Sequence, residues 1–243
     1  MDVLTQHRQV WDSKPILREI YQEWYRMIQR DLRISARPAL EIGAGTGNFK
    51  AYQPGVIATD IVFCDWLDVC LDAHRIPFAD RSLANIVMFD VLHHLADPLG
   101  FIDEALRVLE PGGRIILLEP YPSPFSLQVY RRFHPEPFRF EADYFSAGAG
   151  PRAKDPWDAN QAIAYLLFFR HRQRFAQRYQ GRLTLARLEL TSFLRYPLSG
   201  GFTRPAFYPQ AAVPLLKGAE TLLAPLAKLL AFRCYVVLSK QAG

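Results

Sequence analysis

A chain of 243 residues, half of them hydrophobic, is long enough to bury a full core and fits one domain, 1–243, with embellishments. Cys64, Cys70 and Cys234 are too few and too scattered for a disulfide framework, and they form no metal-ligand spacing. They point to reduced thiols. The formal net charge of +5 leaves attraction to an anionic partner open without requiring one.

In chain order, Met1 to Arg8 is polar and charged, with none of the apolar run of a secretory signal. A cytoplasmic protein without a transmembrane segment is the simplest expectation. Residues 4–33 read as a helix whose aromatic face carries Trp11, Tyr21, Trp24, Tyr25 and Ile28. An apolar strand at 38–42 then runs into Gly43-Ala44-Gly45-Thr46-Gly47. Glycines here let the backbone turn sharply and bring main-chain N–H groups against a ligand that a Cβ would keep away. The dinucleotide fingerprint G-x-G-x-x-G would need a glycine at position 48, which is Asn48.

A second strand, 56–60, ends in Asp60, where a carboxylate can accept from two ribose hydroxyls or simply cap a turn. Asp72-Ala73 follows, then a strand at 85–91 running into Asp90, Val91, His93 and His94. A helix-like segment leads through Leu109–Arg114, read as a turn, into a strand at 114–119. Strands alternating with segments of helical length predict a mostly parallel α/β sheet with helices on both faces and its ligand at the carboxyl ends of the strands. The last strands fall near 182–190 and 232–239.

Taken in this order and at these intervals, residues 38–120 resemble the class I S-adenosylmethionine (SAM)-dependent methyltransferases, especially their small-molecule branch, which includes quinone-ring enzymes. The resemblance implies a Rossmann-like, seven-stranded, mostly parallel sheet whose final strand inserts antiparallel, with SAM as cofactor. It implies that Glu41, Gly43, Ala44, Gly45 and Gly47 cradle the methionine end and ribose, and that Asp60 and Ile61 lie at the ribose. Asp72 and Ala73 would flank the adenine, with Asp90 and Val91 under the sulfonium. Where the family commonly has an aspartate, this chain has Asn85. His93 and His94, after the fourth strand, are the candidate catalytic bases; the alternative is a helix cap or a core hydrogen bond. No metal is expected, because His74, His93 and His94 lack carboxylate or thiolate partners by spacing.

Four segments follow: an N-terminal helical cap (1–37), a SAM-binding core (38–120), a lid and acceptor insert (121–181), and last strands with an amphipathic helical insertion (182–243). Prolines 122, 124, 135, 137, 151 and 156 break the insert into loops. Its aromatics, Tyr130, Phe133, Phe138, Phe140, Tyr144, Phe145, Trp157, Tyr165, Phe168 and Phe169, either line an apolar acceptor pocket or form a satellite core. His134, Glu136 and Asp143 are further candidate acceptor contacts. Arg170, Arg174 and Arg178 share one helical face, either solvated or attractive to an anion.

In 211–232, Leu215, Leu222 and Leu229 repeat every seven residues beside Leu216, Leu223 and Leu230. This stripe packs on the domain or roofs the site; the other reading is a peripheral membrane or dimer surface. A nucleic-acid partner is not expected, since the [DN]-P-P-[YF] signature is replaced by Phe89-Asp90-Val91-Leu92. The expected partner is a small, fairly apolar acceptor, aromatic or lipid-like. The rival classes are a non-catalytic SAM-fold binding protein and an NAD(P) oxidoreductase.

Overall fold

In a computed structural model, described over residues 2–146, 155 and 157–242, seven strands form one sheet in the order β3-β2-β1-β4-β5-β7-β6. They are β1 (Ala39–Ile42), β2 (Ile57–Asp60), β3 (Val69–Cys70), β4 (Leu83–Phe89), β5 (Leu109–Pro120), β6 (Leu183–Thr191) and β7 (Arg233–Lys240). The first five run parallel, with Leu40 opposite both Ile57 and Ile86, and β7 enters antiparallel between β5 and β6.

Strands buried on both faces need apolar side chains on alternating sides, and the central strands supply them. Ile86 and Met88 of β4, Ile115 and Leu117 of β5, and Val236 and Leu238 of β7 face one core. Val87, Ile116, Leu118 and Val237 face the other. The first core is closed by α3 (Pro98–Val108) and by a run from the insert: α5 (Ile163–Tyr165), a π-helical turn (Leu166–Arg170) and α6 (Arg172–Arg178). The second is closed by α1 (Val3–Ser13), α2 (Pro15–Asp31) and residues 196–208.

Several elements differ from the sequence expectation. The helix expected over 4–33 is two, because Pro15 cannot donate to a preceding turn and instead opens α2 at its first position. The crossover from β1 to β2 holds only a 3-10 turn, Asn48–Ala51, stopped by the Pro54-Gly55 break. Helix α2, not a crossover helix, covers that face. The two-residue β3 has too little apolar sequence to be read as a strand. Leu109–Arg114, read as a turn, continues β5 in pairing with β4.

Asn85 has a structural reason to be an amide. Its Oδ1 accepts from the Arg33 N–H at 2.8 Å while its Nδ2 donates to the Arg33 carbonyl at 3.0 Å, clamping the end of the N-terminal segment to β4. An ionised aspartate could make only the first of these bonds.

The insert opens with α4 (Pro124–Phe133), capped by Ser123, whose Oγ accepts from the Ser126 N–H at 3.0 Å. Pro151 and Pro156 lie outside the described residues. After β6 come α7 (Arg195–Ser199), α8 (Val213–Leu223), a 3-10 turn at Ala224–Leu226, and α9 (Ala227–Leu230).

Candidate active site

The carboxyl ends of β1, β2 and β4 open into a cavity of about 580 Å³. Its floor is the glycine turn. Gly43, Gly45 and Gly47 all have positive φ, and a Cβ on Gly43 would stand 2.3 Å from Cγ2 of Val91. The turn therefore needs glycine at position 43 for both conformation and space. Asp60 closes the turn from β2: its Oδ2 accepts from the Gly45 N–H at 2.9 Å and its Oδ1 from the Val62 N–H at 2.9 Å. A carboxylate has about four acceptor positions, so two remain for hydroxyl donors.

Glu41 is buried beside it, and its Oε2 has no hydrogen-bond partner among the described residues. Burial, with the charge of Asp60 added, raises its pKa to about 8. Such an orphaned acceptor asks for a donor from a ligand. Across the cavity, Asp72 takes the backbone N–H and ring Nδ1 of His74 at 2.8 and 2.9 Å. Burial opposes its charge, but these bonds hold it below the usual carboxylate range.

Of the residues expected at the cofactor, Glu41, Gly43, Ala44, Gly45, Asp60, Ile61, Asp72, Ala73, Asp90 and Val91 line the cavity. Gly47 does not. It precedes the 3-10 turn, and a Cβ there would meet Trp66 and Leu67 at 3.3 Å. The cavity's aromatic wall is Tyr21 and Tyr25 of α2, Phe89, and Phe202 stacked on His7 with ring centroids 4.7 Å apart; sequence reasoning singles out only the two tyrosines. The α2 face was visible as an aromatic stripe, yet Trp11, Trp24 and Ile28 serve the core while Tyr21 and Tyr25 also face the ligand space.

Asp90 sits at φ 55 and receives the guanidinium of Arg233, which is buried, reaches Tyr196 as well, and lies over the Trp24 ring at 5.2 Å. Burial lowers the pKa of Arg233 to about 10. Neither Arg233 nor its role was legible, because β7 is 143 residues away from Asp90.

The two histidines have different environments. His93 is buried: its Nδ1 meets Glu119 Oε2 at 2.6 Å, and its Nε2 faces Glu136 Oε2 at 3.4 Å. Glu119, at the end of β5, also accepts the N–H groups of Val91 and Leu92 at 2.9 and 2.8 Å. Burial works against a charge on His93, but the two glutamates outweigh it and raise its pKa to about 9. Burial raises Glu136 while the His93 bond and charge more than reverse this, to about 2. At neutral pH His93 is thus an imidazolium between two carboxylates. It does not line the cavity, so it is not placed to act as a base there.

His94 does line it, with its Nδ1 3.2 Å from the Asp158 carbonyl and its Nε2 3.9 Å from Glu136. Burial first, and then the charge of His93, lower its pKa. The carboxylate partners that spacing failed to reveal are therefore present, since folding brings Glu136 to both rings. Ligand atoms of His93, His94 and Glu136 lie within 4.8 Å of one another.

Other expectations shift. Asp143 pairs with Arg174 at 3.2 Å and His134 bonds Gln161 at 3.0 Å; neither lines the cavity, and Glu136 does. Arg170, Arg174 and Arg178 are exposed, as a solvated face would be; Arg178 also pairs with Asp103 at 2.9 Å, and Arg170 donates to the Phe140 carbonyl. Of the insert's aromatics, only Trp157 lines the cavity among the described residues. Tyr130, Phe138, Phe140, Tyr165 and Phe169 contact one another in a satellite core. None of residues 211–232 lines the cavity, so the leucine stripe does not roof it.

The donors and acceptors fit SAM. The cofactor carries an ammonium and a sulfonium for the acidic wall of Glu41, Asp60 and Asp90, and hydroxyl donors for Asp60. A dinucleotide fits worse, because its pyrophosphate would meet these carboxylates and a four-residue 3-10 turn instead of an α-helix N-terminus.

Residues 40–117 match the family model described as methyltransferase domain. Relatives include a demethylmenaquinone methyltransferase of Beutenbergia cavernae, 32% identical over 106 residues, covering 35% of this chain and 43% of that protein. A demethylmenaquinone methyltransferase of Tropheryma whipplei strain Twist is 27% identical over 145 residues, covering 51% and 61%. The matches thus span less than two thirds of these relatives' own lengths. A SAM-dependent methyltransferase from Archaeoglobus fulgidus has the same fold at TM-score 0.54 and 17% identity, covering 92% of this chain and 94% of that one. The fold, the glycine turn with its acidic wall and the family match together identify residues 40–117 as a class I SAM-dependent methyltransferase domain, resembling those of the quinone methyltransferases.

Proposed function

We propose that this chain transfers a methyl group from SAM to a small, fairly apolar acceptor, aromatic or lipid-like. The carrying observation is that one cavity is lined by two differently built groups of residues. The glycine turn, Glu41, Asp60 and Asp72 form one; His94, Leu95, Glu136 and Trp157, around the end of β4 and the insert, form the other. The relatives named for demethylmenaquinone support an apolar ring acceptor.

The cofactor supplies a methyl carbon bonded to a positive sulfur. The chain's part is to hold an acceptor atom in line with that carbon and to exclude water, which contributes up to about 7–11 kcal/mol in favourable cases. In this reading residues 121–181 act as the acceptor-side lid, contributing Glu136 and Trp157. A hydroxyl or enol acceptor loses its proton to His94, whose lowered pKa keeps it neutral at pH 7 and able to accept. Protonation of Nε2 is then favoured by the Glu136 carboxylate 3.9 Å away. His93 and Glu119 position His94 and the β4 end.

The test is calorimetric titration with S-adenosylhomocysteine, with NADH in parallel, followed by transfer of labelled methyl to a panel of phenols, quinols and isoprenoid compounds. Binding of the first nucleotide only, with labelling of an apolar acceptor, is expected. The His94→Gln variant should bind the product nucleotide normally and lose about 10²-fold or more in kcat, along with the activity limb below pH 6.5. Product-nucleotide binding with no labelling of any acceptor would point to a non-catalytic SAM-fold protein.

A further inference from the structure

The C-terminal helical segment carries two leucine rows, and only one of them packs on the protein. Glu220 points inward: its Oε1 accepts the Leu194 and Arg195 N–H groups at 2.9 Å each, and its Oε2 binds Arg195 Nε at 2.6 Å. Arg195 in turn holds Glu23 of α2 at 2.6 Å, and Lys217 holds the same carboxylate at 2.8 Å. These ion pairs, with buried Val213 and half-buried Leu216, Leu223 and Leu230, fix which side of the segment faces the protein. The opposite side carries Leu215, Leu222, Leu226 and Leu229, at 76%, 82%, 46% and 52% exposure. Their spacing places them on one face across α8, the 3-10 turn and α9. Four leucines in a row are far from the singly scattered apolar residues of an ordinary surface.

The exposed charge carried by the segment and by α4 is of one sign, the acids Glu19 and Glu23 of α2 being paired with Lys217. Glu220 is the sole acid of 211–232, and it is turned inward. The neighbouring α4, which packs against α9, has no acid at all. It adds exposed Phe125 and Phe133 and the exposed cations Arg131 and Arg132, and Lys228 lies exposed on α9 itself. A second copy placed on this face would set these cations against their own kind. An anionic lipid surface would satisfy both the leucines and the cations.

We propose that the outward leucine face of residues 213–230, with the cations of α4 and α9, docks the protein on an anionic membrane surface. No helix among the described residues is long and apolar enough to cross a membrane, so the contact is peripheral. It stands independently of the methyl-transfer reading, because it rests on elements outside the cavity.

The test is flotation of the full chain with vesicles of phosphatidylcholine alone and of an equal mixture with phosphatidylglycerol. Binding to the mixed vesicles, weakened by salt, is expected. It should fall about tenfold or more in the combined variant Leu215→Ser, Leu222→Ser, Leu229→Ser, and likewise in Arg131→Glu, Arg132→Glu, Lys228→Glu. All six positions are exposed, so the thermal midpoint and nucleotide titration should remain those of the parent. No flotation, equal flotation on neutral vesicles, or flotation unaffected by the serine changes each overturns the proposal. Light scattering that finds a dimer which the serine variant dissociates overturns it too, in favour of a second copy.

Discussion

Gly43 shows how much a single side chain's absence can decide. Its φ of +68 disfavours any Cβ, and the Cβ would also penetrate Val91, whose own N–H is held by Glu119 and cannot easily move away. Gly43→Ala should therefore lower stability by about 2–3 kcal/mol, through left-handed strain and overpacking together. It should also weaken nucleotide binding, because Val91 lines the same cavity. Urea unfolding and calorimetry check the two effects; an unchanged midpoint would mean that the turn relaxes freely. Residues of this kind are legible in sequence because glycine's special property is local. Asp60 and Asp72 were legible for a similar reason, each standing at a strand end or just before a turn. Glu136 was seen only as one of several polar residues in the insert, and nothing in its neighbours tells it apart from Asp143. What separates them is the partner each meets, His93 for one and Arg174 for the other.

At the scale of elements, the parallel strands were readable because burial on both faces demands continuous apolar runs. The helices around them were less so. The expected helix after the glycine turn is absent, and α2 covers the face it would have covered. Helix α8 is held by polar ties to α2 and α7 rather than by a buried apolar stripe, and Val213 is its one buried residue. Arg195 is the centre of that attachment, 13% exposed between Glu23 and Glu220. Arg195→Met should leave Glu220 partly buried without its cation and Glu23 with Lys217 alone, costing about 3 kcal/mol and lowering Tm by roughly 6–10 °C. Differential scanning calorimetry measures it, and a shift below about 2 °C would show that α8 is attached mainly by other contacts. A periodic leucine pattern reveals that a helix has an apolar face but not which way that face points. Here the anchors include a distant arginine and two glutamates, so the row Leu216, Leu223 and Leu230 lies half-buried on the domain while Leu215, Leu222 and Leu229 turn outward.

For the molecule as a whole, His93, Glu119 and Glu136 join the sheet to the insert, and this makes stability depend on pH. The pKa of His93 is raised from 6.5 to about 9 on folding, so its contribution is complete below pH 6.5 and is lost as pH rises through 9. Glu41, raised to about 8 from 4.5 by burial, acts in the same direction, because its buried charge must form as pH rises. Glu136, lowered to about 2 from 4.5, contributes above pH 4.5 and loses that contribution as pH falls toward 2. Unfolding free energy should therefore be greatest near pH 4.5 and fall by several kcal/mol up to pH 9, most steeply above pH 6.5. Denaturant midpoints across that range measure the slope. His93→Gln should flatten it, and a slope unchanged in that variant would remove His93 from the account.

The sequence by itself determined four of the parallel strands, the glycine turn and the acidic residues at the strand ends. These depend on backbone conformation and on apolar periodicity, which neighbouring residues encode. The tertiary structure alone decided that His94 rather than His93 reaches the cavity, that Arg233 and Glu136 meet their partners, and that Leu215, Leu222 and Leu229 face outward. Each of these is an encounter between side chains far apart in the chain, and the energy that selects it exists only once the elements between them have packed.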